Sequence, residues 1–403
     1  MNDIYMKDQA REIKKYARKV RGGRAQLWNK KKPILTHLDL ELTERCNNDC
    51  IHCYINLPAG DRDAMGRELS TREWQRLLEE AASLGCLSVR FTGGEPLLRE
   101  DFEGIYVFAR KLGLKAILYT NATLITHRLA ELLARIPPLE KVEVSVYGLD
   151  KESCEAVTRV PGSFETAMNG IRFLEANGIP FVLKSAVLPP NRAEIERLQA
   201  WAVGKAKMDE PVSLAMFFYL RARRDSAEKN KWICGLRLRP DEGIALLSTD
   251  RKRYIAEMRG FFGGVVNLPG KRLFRCGAGT GSGCIDSYGR LQACLALRHP
   301  DTCYDTKTGN IKDAFINFFP KLREREATNT EHLSCCARCF LNALCEQCPA
   351  QSWMEHGTLD TPVDYFCDIA HAQARDLGLL AEGEKAWEVR DWKRRIETFR
   401  TGK

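Results

Sequence analysis

The chain has 403 residues, of which 44% are hydrophobic and 29% charged, which excludes global disorder. Its net charge of +9 is uneven: residues 1–33 hold 11 basic and 3 acidic side chains, and residues 385–403 hold 7 and 3. A bias confined to the two ends argues against a nucleic-acid groove, and no apolar run reaches the roughly 18 residues of a membrane span.

Residues 1–33 read as a basic N-terminal segment. Met1–Lys32 has no apolar stretch of the secretory kind, so the expected compartment is the cytoplasm. From residue 34 to 220, short β-like runs alternate with helical patterns. The expected strands are Leu35–Leu42, Leu87–Thr92, Ala116–Thr120, Val142–Tyr147, Phe181–Leu188 and Val212–Leu220. Between them, Thr71–Leu84, Phe102–Leu112, Thr126–Ala134, Phe164–Asn177 and Arg192–Gly204 carry helical apolar spacing. Such alternation implies right-handed βαβ crossovers and a parallel sheet. Six strands fall short of a closed eight-stranded barrel. The expected fold class is therefore α/β, a partial (β/α)6 TIM barrel, with ligands at the carboxyl ends of its strands.

Residues 221–275 read as a charged connector with one helix near Asp241–Met258. Residues 276–368 hold ten of the sixteen cysteines and few long periodic runs. Cytoplasmic thiols stay reduced, so this reads as a small domain held by metal rather than by disulfides. Within it, Ile285–Ala293 reads as a β-hairpin turning at Ser287-Tyr288-Gly289. Residues 369–403 read as a basic C-terminal helix.

Cys46, Cys50 and Cys53 form C-x3-C-x2-C directly after the first strand. Three thiolates on one loop suit three irons of a four-iron cluster and leave the fourth iron open for a substrate or cofactor. A structural zinc site wants four closed ligands, and His52 is awkwardly placed to complete that tetrahedron. Gly93-Gly94-Glu95-Pro96 follows the second strand, Asn121 the third, and Ser145 lies near the end of the fourth, with Arg159 beyond it.

This set resembles the radical S-adenosylmethionine (SAM) superfamily over roughly residues 34–220. His52 stands where that family's motif usually has Tyr or Phe. The resemblance implies that Cys46, Cys50 and Cys53 hold a [4Fe–4S] cluster that chelates SAM. It further implies that Gly93, Gly94 and Glu95 hold the SAM amino group, with Asn121 also near the cofactor. Ser145 would touch its ribose, and Arg159 its carboxylate. Reductive cleavage of SAM would then give a 5′-deoxyadenosyl radical that abstracts hydrogen from a substrate.

Cys276, twelve residues, Gly289, four residues and Cys294 precede Cys336-x2-Cys339-x5-Cys345-x2-Cys348 and then Cys367. Alone, the second run also fits a pair of structural zinc sites in a protein that is not an enzyme. The seven together resemble the SPASM extension of radical SAM enzymes, with two residues instead of three between Cys345 and Cys348. That resemblance implies two auxiliary [4Fe–4S] clusters, three in all. Cys336, Cys339, Cys345 and Cys367 would hold the outer one. Cys276, Cys294 and Cys348 would hold the inner one, with Cys284 the candidate fourth ligand, or with that iron left open. Cys335, beside Cys336, is an alternative ligand.

SPASM enzymes mostly modify peptides, by crosslinking or another oxidation. A peptide substrate, a flavodoxin or ferredoxin reductant and a separate leader-binding protein are therefore the expected partners, with no membrane partner. A small-molecule substrate is the alternative. Leu295 stands where the sulfatase-maturing branch has an aspartate base, which argues against that branch. No acid or base is singled out, although Tyr147, Lys184, Tyr219 and Arg221 lie near strand ends.

Overall fold

The computed structural model describes residues 34–205, 207–208, 210–264 and 269–402. The basic segment 1–33 lies outside the described residues.

The core is one nine-stranded sheet. Its strands are β1 (His37–Thr43), β2 (Ser88–Gly93), β3 (Lys115–Thr120), β4 (Leu139–Ser145), β5 (Phe181–Ala186), β6 (Ser213–Ala215), β7 (Ser282–Ile285), β8 (Arg290–Gln292) and β9 (Cys303–Asp305). The spatial order is β9-β8-β7-β1-β2-β3-β4-β5-β6. Strands β1 to β6 pair in parallel, as the alternation of strands and helices requires. This is the six-stranded partial barrel.

Strand β1 shows why the sheet has two unlike faces. Leu38, Leu40 and Leu42 are buried and belong to the main apolar core, while His37, Asp39 and Glu41 alternate with them. The polar set continues across the register. Asp39 lies opposite Arg90 and accepts from its Nη1 at 2.7 Å. Arg90 sits over the Tyr119 ring at 4.6 Å, and Lys184 donates to the Tyr119 hydroxyl at 2.7 Å and pairs with Glu143. One face therefore packs on helices, and the other presents a charged ladder.

The helices start and stop where local chemistry dictates. Thr71–Ser83 opens on a capping box. The Ser70 hydroxyl accepts from the Glu73 N–H, and the Glu73 carboxylate accepts from the Ser70 N–H. Its buried stripe is Trp74, Leu77, Leu78 and Ala81.

Three expectations are corrected. The connector carries three helices, Ala227–Leu236, Pro240–Leu247 and Arg251–Gly264, where one was expected. The Ser226 cap and Pro240 in the first turn begin two of them, and their mixed polarity hides the periodicity. A further helix, Lys151–Thr158, follows β4 and closes on Arg159 in the left-handed region, φ 60°. The C-terminal stretch is two helices, Asp364–Asp376 and Trp392–Thr401, separated by turns that use Gly378 and Gly383 at positive φ.

The sheet does not end where the cysteine-rich region begins. Strand β7 pairs parallel to β1, with Asp39 opposite Cys284, and β7 to β9 form an antiparallel meander. The expected hairpin is thus part of the barrel's own sheet. A second apolar cluster, with Tyr254, Phe262, Phe340, Leu377 and Ile396, packs the C-terminal helices together.

A buried ionic group ties these halves. Arg298 donates Nη1 to Glu44 at 2.5 Å and Nη2 to Glu41. Glu44 also accepts from Arg223 and, at 2.8 Å, from the Tyr288 hydroxyl. Glu41 and Glu44 are fully buried. Removing one partner of such a group strands the other charges. Arg298→Ala is expected to cost roughly 3–5 kcal/mol in chemical denaturation. A loss below about 1 kcal/mol would show that the group does not join the halves.

Candidate cofactor and metal site

The first cysteine group lies on the loop that leaves β1. Gly93 and Gly94 explain how it is held there. The Gly94 N–H donates to Thr43 at 2.8 Å, and the Glu95 N–H donates to Arg45 at 2.9 Å. A Cβ on Gly93 would stand 2.0 Å from the Thr43 carbonyl oxygen, and one on Gly94 would stand 2.2 Å from that of Arg45. Gly93 also takes φ 134°. Only glycine lets these two backbones meet, at the carboxyl ends of β1 and β2.

The loop is tied down at its far side too. The Asp49 and Ile51 N–H groups donate to Thr158 and Val157 at 2.9 and 3.0 Å. These are the last residues of the Lys151–Thr158 helix. The Asn48 N–H approaches Cys46 Sγ, and the Asn56 N–H approaches Cys53 Sγ, each at 3.4 Å. Amide donors aimed at sulfur stabilise thiolate. Burial and the neighbouring Glu95 push the Cys46 thiol up to about 12, and burial with the other two cysteines raises Cys50. The group therefore suits a cation that displaces its protons. Among the described residues, no three His, Cys, Asp or Glu side chains converge as one metal ion requires. A four-iron cluster takes each thiolate on a different iron and needs no such convergence.

His52 lies outside this donor set. Its ring packs edge-on to Tyr147 at 5.2 Å and tilted to Phe218 at 5.4 Å, and burial lowers its pKa to about 4.

Glu95 is fully buried. Its Oε1 accepts from the Leu97 N–H at 3.1 Å and the Thr120 hydroxyl at 2.9 Å, and its Oε2 accepts from the Asn121 N–H at 2.8 Å. It clamps the end of β3 to the Gly-Gly turn. Asn121 extends the clamp, donating to Asn47 at 2.9 Å and lying 3.8 Å from Cys46 Sγ. Ser145 ends β4, opposite Lys184, and lies beside Tyr147. Arg159 faces Asp49 at 3.5 Å and the Trp232 ring at 4.9 Å. Gly93, Gly94, Glu95, Asn121 and Arg159 thus converge on the cysteine loop, and Ser145 lies beside it through Tyr147 and Cys50.

The second group gathers round a cavity of about 270 Å³ lined by Cys276, Cys336, Cys339, Cys345, Cys348 and Cys367. Cys336, Cys339 and Cys367 each act on the Cys345 thiol, and burial raises all four. Burial, with Cys294 and Cys276 nearby, raises the Cys348 thiol. Cys335 lies near Cys336 and Cys339. Cys284 lies opposite Gln292 of β8, two residues before Cys294 in the chain. It is fully buried in β7, among Glu41, Asp39 and Arg298. Its alternation with Gly283 in β7 turns it toward the polar face of the sheet, which spacing along the chain could not reveal.

Sequence reasoning missed Tyr54 and Glu346, and singled out Tyr219 only for its place near a strand end. With His52, Phe218 and Leu344 they line a cleft of about 500 Å³ between the cysteine loop and the cysteine-rich region. Tyr219 donates to Glu346 at 3.1 Å, and burial raises the Glu346 carboxyl. Tyr219 was legible only as a strand-end residue, and Glu346 only as the neighbour of Cys345.

The radical SAM superfamily model matches residues 40–202. The chain is 33% identical to the Fe-coproporphyrin III synthase of Methanosarcina barkeri over 165 residues, which are 41% of this chain but only 39% of that protein. It is 27% identical to the AdoMet-dependent heme synthase of Methanosarcina barkeri over 340 residues, 79% of this chain and 92% of that protein. It is 33% identical to the PqqA peptide cyclase of Gluconobacter oxydans over 40% of this chain and 44% of that protein. Among solved structures, Streptococcus suis SuiB bound to its precursor peptide SuiA shares the fold with a TM-score of 0.62 at 18% identity, over 83% of this chain and 76% of that one. The structure of anSMEcpe with AdoMet and a peptide gives 0.56 at 15%, over 92% and 99%.

Two outcomes follow from the geometry. Gly94→Ala is expected to cost roughly 1–3 kcal/mol, because the backbones it joins must part. Thermal unfolding checks it, and an unchanged midpoint rejects the close-approach argument. Burial raises the Glu95 carboxyl to about 7. A raised acid favours the folded state below its unfolded value and loses that contribution as pH climbs towards 7. Glu95→Leu should therefore flatten the fall in stability between pH 5 and 8 seen in denaturant titrations.

Proposed function

Because residues 40–202 match the radical SAM superfamily model, we propose that the chain binds SAM at a [4Fe–4S] cluster held by Cys46, Cys50 and Cys53 and abstracts hydrogen from a peptide, leading to crosslinking or another oxidation. The observation that carries this is the position of the three thiols on the loop that leaves the carboxyl end of β1, whose first residues, Thr43 and Arg45, accept hydrogen bonds from the Gly94 and Glu95 N–H groups. When bound, such a cluster supplies the electron that cleaves the sulfonium to methionine and a 5′-deoxyadenosyl radical.

The chain's own residues do the rest. Cys46, Cys50 and Cys53 would hold the cluster by three thiolates. The Gly93–Gly94 turn would offer its backbone to an ammonium. Glu95 fixes the turn, and Asn121 orients the loop beside Cys46. Ser145 and Arg159 lie where a ribose and a carboxylate would complete the cofactor. The cleft bordered by His52, Tyr54, Phe218 and Glu346 takes the substrate. Its apolar walls exclude water from a radical. The six cysteines lining the second cavity would hold auxiliary clusters, which would accept an electron from the substrate radical. A flavodoxin or ferredoxin would deliver the first electron, and a separate protein would present the peptide's leader.

A porphyrin substrate is the second reading. It is favoured by one observation: two heme synthases align with 79% of the chain, whereas the peptide cyclase of Gluconobacter oxydans aligns with 40%.

The test is direct. Replacing Cys46, Cys50 and Cys53 with Ala should abolish SAM cleavage and leave roughly two-thirds of the iron. Retained cleavage rejects the assignment. Product masses after incubating the reduced enzyme with peptide and with iron coproporphyrin decide between the substrate readings.

A further inference from the structure

A place near a strand end suggests that Arg221 serves the substrate. The structure turns it to the first cysteine loop instead. Arg221 is 2% exposed. Its Nη1 donates to Asn56 Oδ1 at 2.8 Å and to the Cys53 carbonyl oxygen at 3.2 Å, and its Nη2 donates to the Asn56 carbonyl oxygen at 3.0 Å. Along the other edge of the fork, Nε and Nη2 each donate to one carboxylate oxygen of Asp225, both at 2.9 Å. A guanidinium has five N–H donors. All five are used, and none is left for a substrate. The backbone here is held as well. The Arg221 N–H donates to Asn230 Oδ1 at 2.8 Å, and the Ala222 N–H donates to the Tyr54 carbonyl oxygen at 3.0 Å.

The residue that Arg221 grips serves two of the sulfurs. The Asn56 N–H approaches Cys53 Sγ at 3.4 Å. Because Asn56 Oδ1 accepts from Arg221, its Nδ2 faces the start of the loop and donates to the Asn48 carbonyl oxygen and to Asp49 Oδ1, each at 3.3 Å. The Asn48 N–H in turn approaches Cys46 Sγ at 3.4 Å. One guanidinium thus steadies both amide–sulfur contacts. Its counter-charge is weaker than it. The Asp225 side chain is 29% exposed and is shared with Arg223 at 3.0 Å. Solvent screens the negative end of the pair, while the positive end lies dry against the loop.

Resting on the reading of Cys46, Cys50 and Cys53 as ligands of the SAM-binding cluster, we propose that Arg221 is a positioning residue that raises the reduction potential of that cluster, by fixing Asn56 and by placing a buried positive charge beside Cys53. Reduction adds negative charge to a cluster, and both positive charge and N–H donors to sulfur favour the reduced form. Entry of the first electron is the step that this eases.

The experiment measures midpoint potentials in the full chain, loaded with iron and sulfide anaerobically and titrated under electron paramagnetic resonance. The relevant signal changes on adding SAM and is missing when Cys46, Cys50 and Cys53 are replaced by Ala. Arg221→Met should lower its midpoint. The ratio of reduced to oxidised cluster at a fixed potential should fall roughly tenfold, about 59 mV for one electron. Asp225→Asn keeps an acceptor for the fork but removes the counter-charge, so it should raise the midpoint. Signals that persist in the triple Ala variant should not move in either case. A role confined to stability would not give shifts of opposite sign. An unchanged midpoint in Arg221→Met with its iron retained, a midpoint in Asp225→Asn that fails to rise, or auxiliary signals that shift alike overturns the proposal. If Arg221→Met does not fold, Asp225→Asn decides alone. A wild-type protein with no signal that depends on the three cysteines overturns the cluster reading beneath it.

Discussion

Everything near the cofactor loop rests on the close approach of two backbones. Gly93 and Gly94 bring the end of β2 against Thr43 and Arg45, at separations no side chain tolerates. The loop bearing Cys46, Cys50 and Cys53 therefore leaves β1 in one direction only. Its other flank is fixed on the end of the Lys151–Thr158 helix. A flexible loop would lose conformational freedom on gathering three sulfurs. This loop has lost most of it before any metal arrives.

The second determinant is electrostatic. Parallel sheets are usually apolar on both faces. Here Asp39, Arg90, Tyr119, Glu143 and Lys184 form a connected ladder, and Arg298 holds Glu41 and Glu44 at the junction of the halves. Each charge is tolerable because a partner lies on the neighbouring strand or loop. The same pairing fixes which residues can face a ligand.

Much of this was legible in the sequence. The strict alternation of β1 and the spacing of the helices from Thr71 to Gly204 come through because helix and strand periods differ. Cysteine spacing identified both sulfur groups, since ligand geometry constrains neighbours on a short loop. What was hidden depends on contacts distant along the chain. The joining of β7 to β1 spans some 240 residues. Cys284, read from its place between Cys276 and Cys294, sits opposite Asp39 and Gln292, a placement that only the sheet register reveals. The connector helices Ala227–Leu236 and Pro240–Leu247 begin on single capping residues and lack a clean apolar stripe. Glu346 and Tyr219 gain meaning only through the cleft they share.

The continuity of the nine-stranded sheet has a mechanical consequence. Because β7 hydrogen-bonds along β1, the strand that launches the first cysteine loop and the strand between Cys276 and Cys294 form a single plank. The two sulfur groups cannot swing apart as hinged lobes would. The span between them is set by the scaffold and not by a docking stroke.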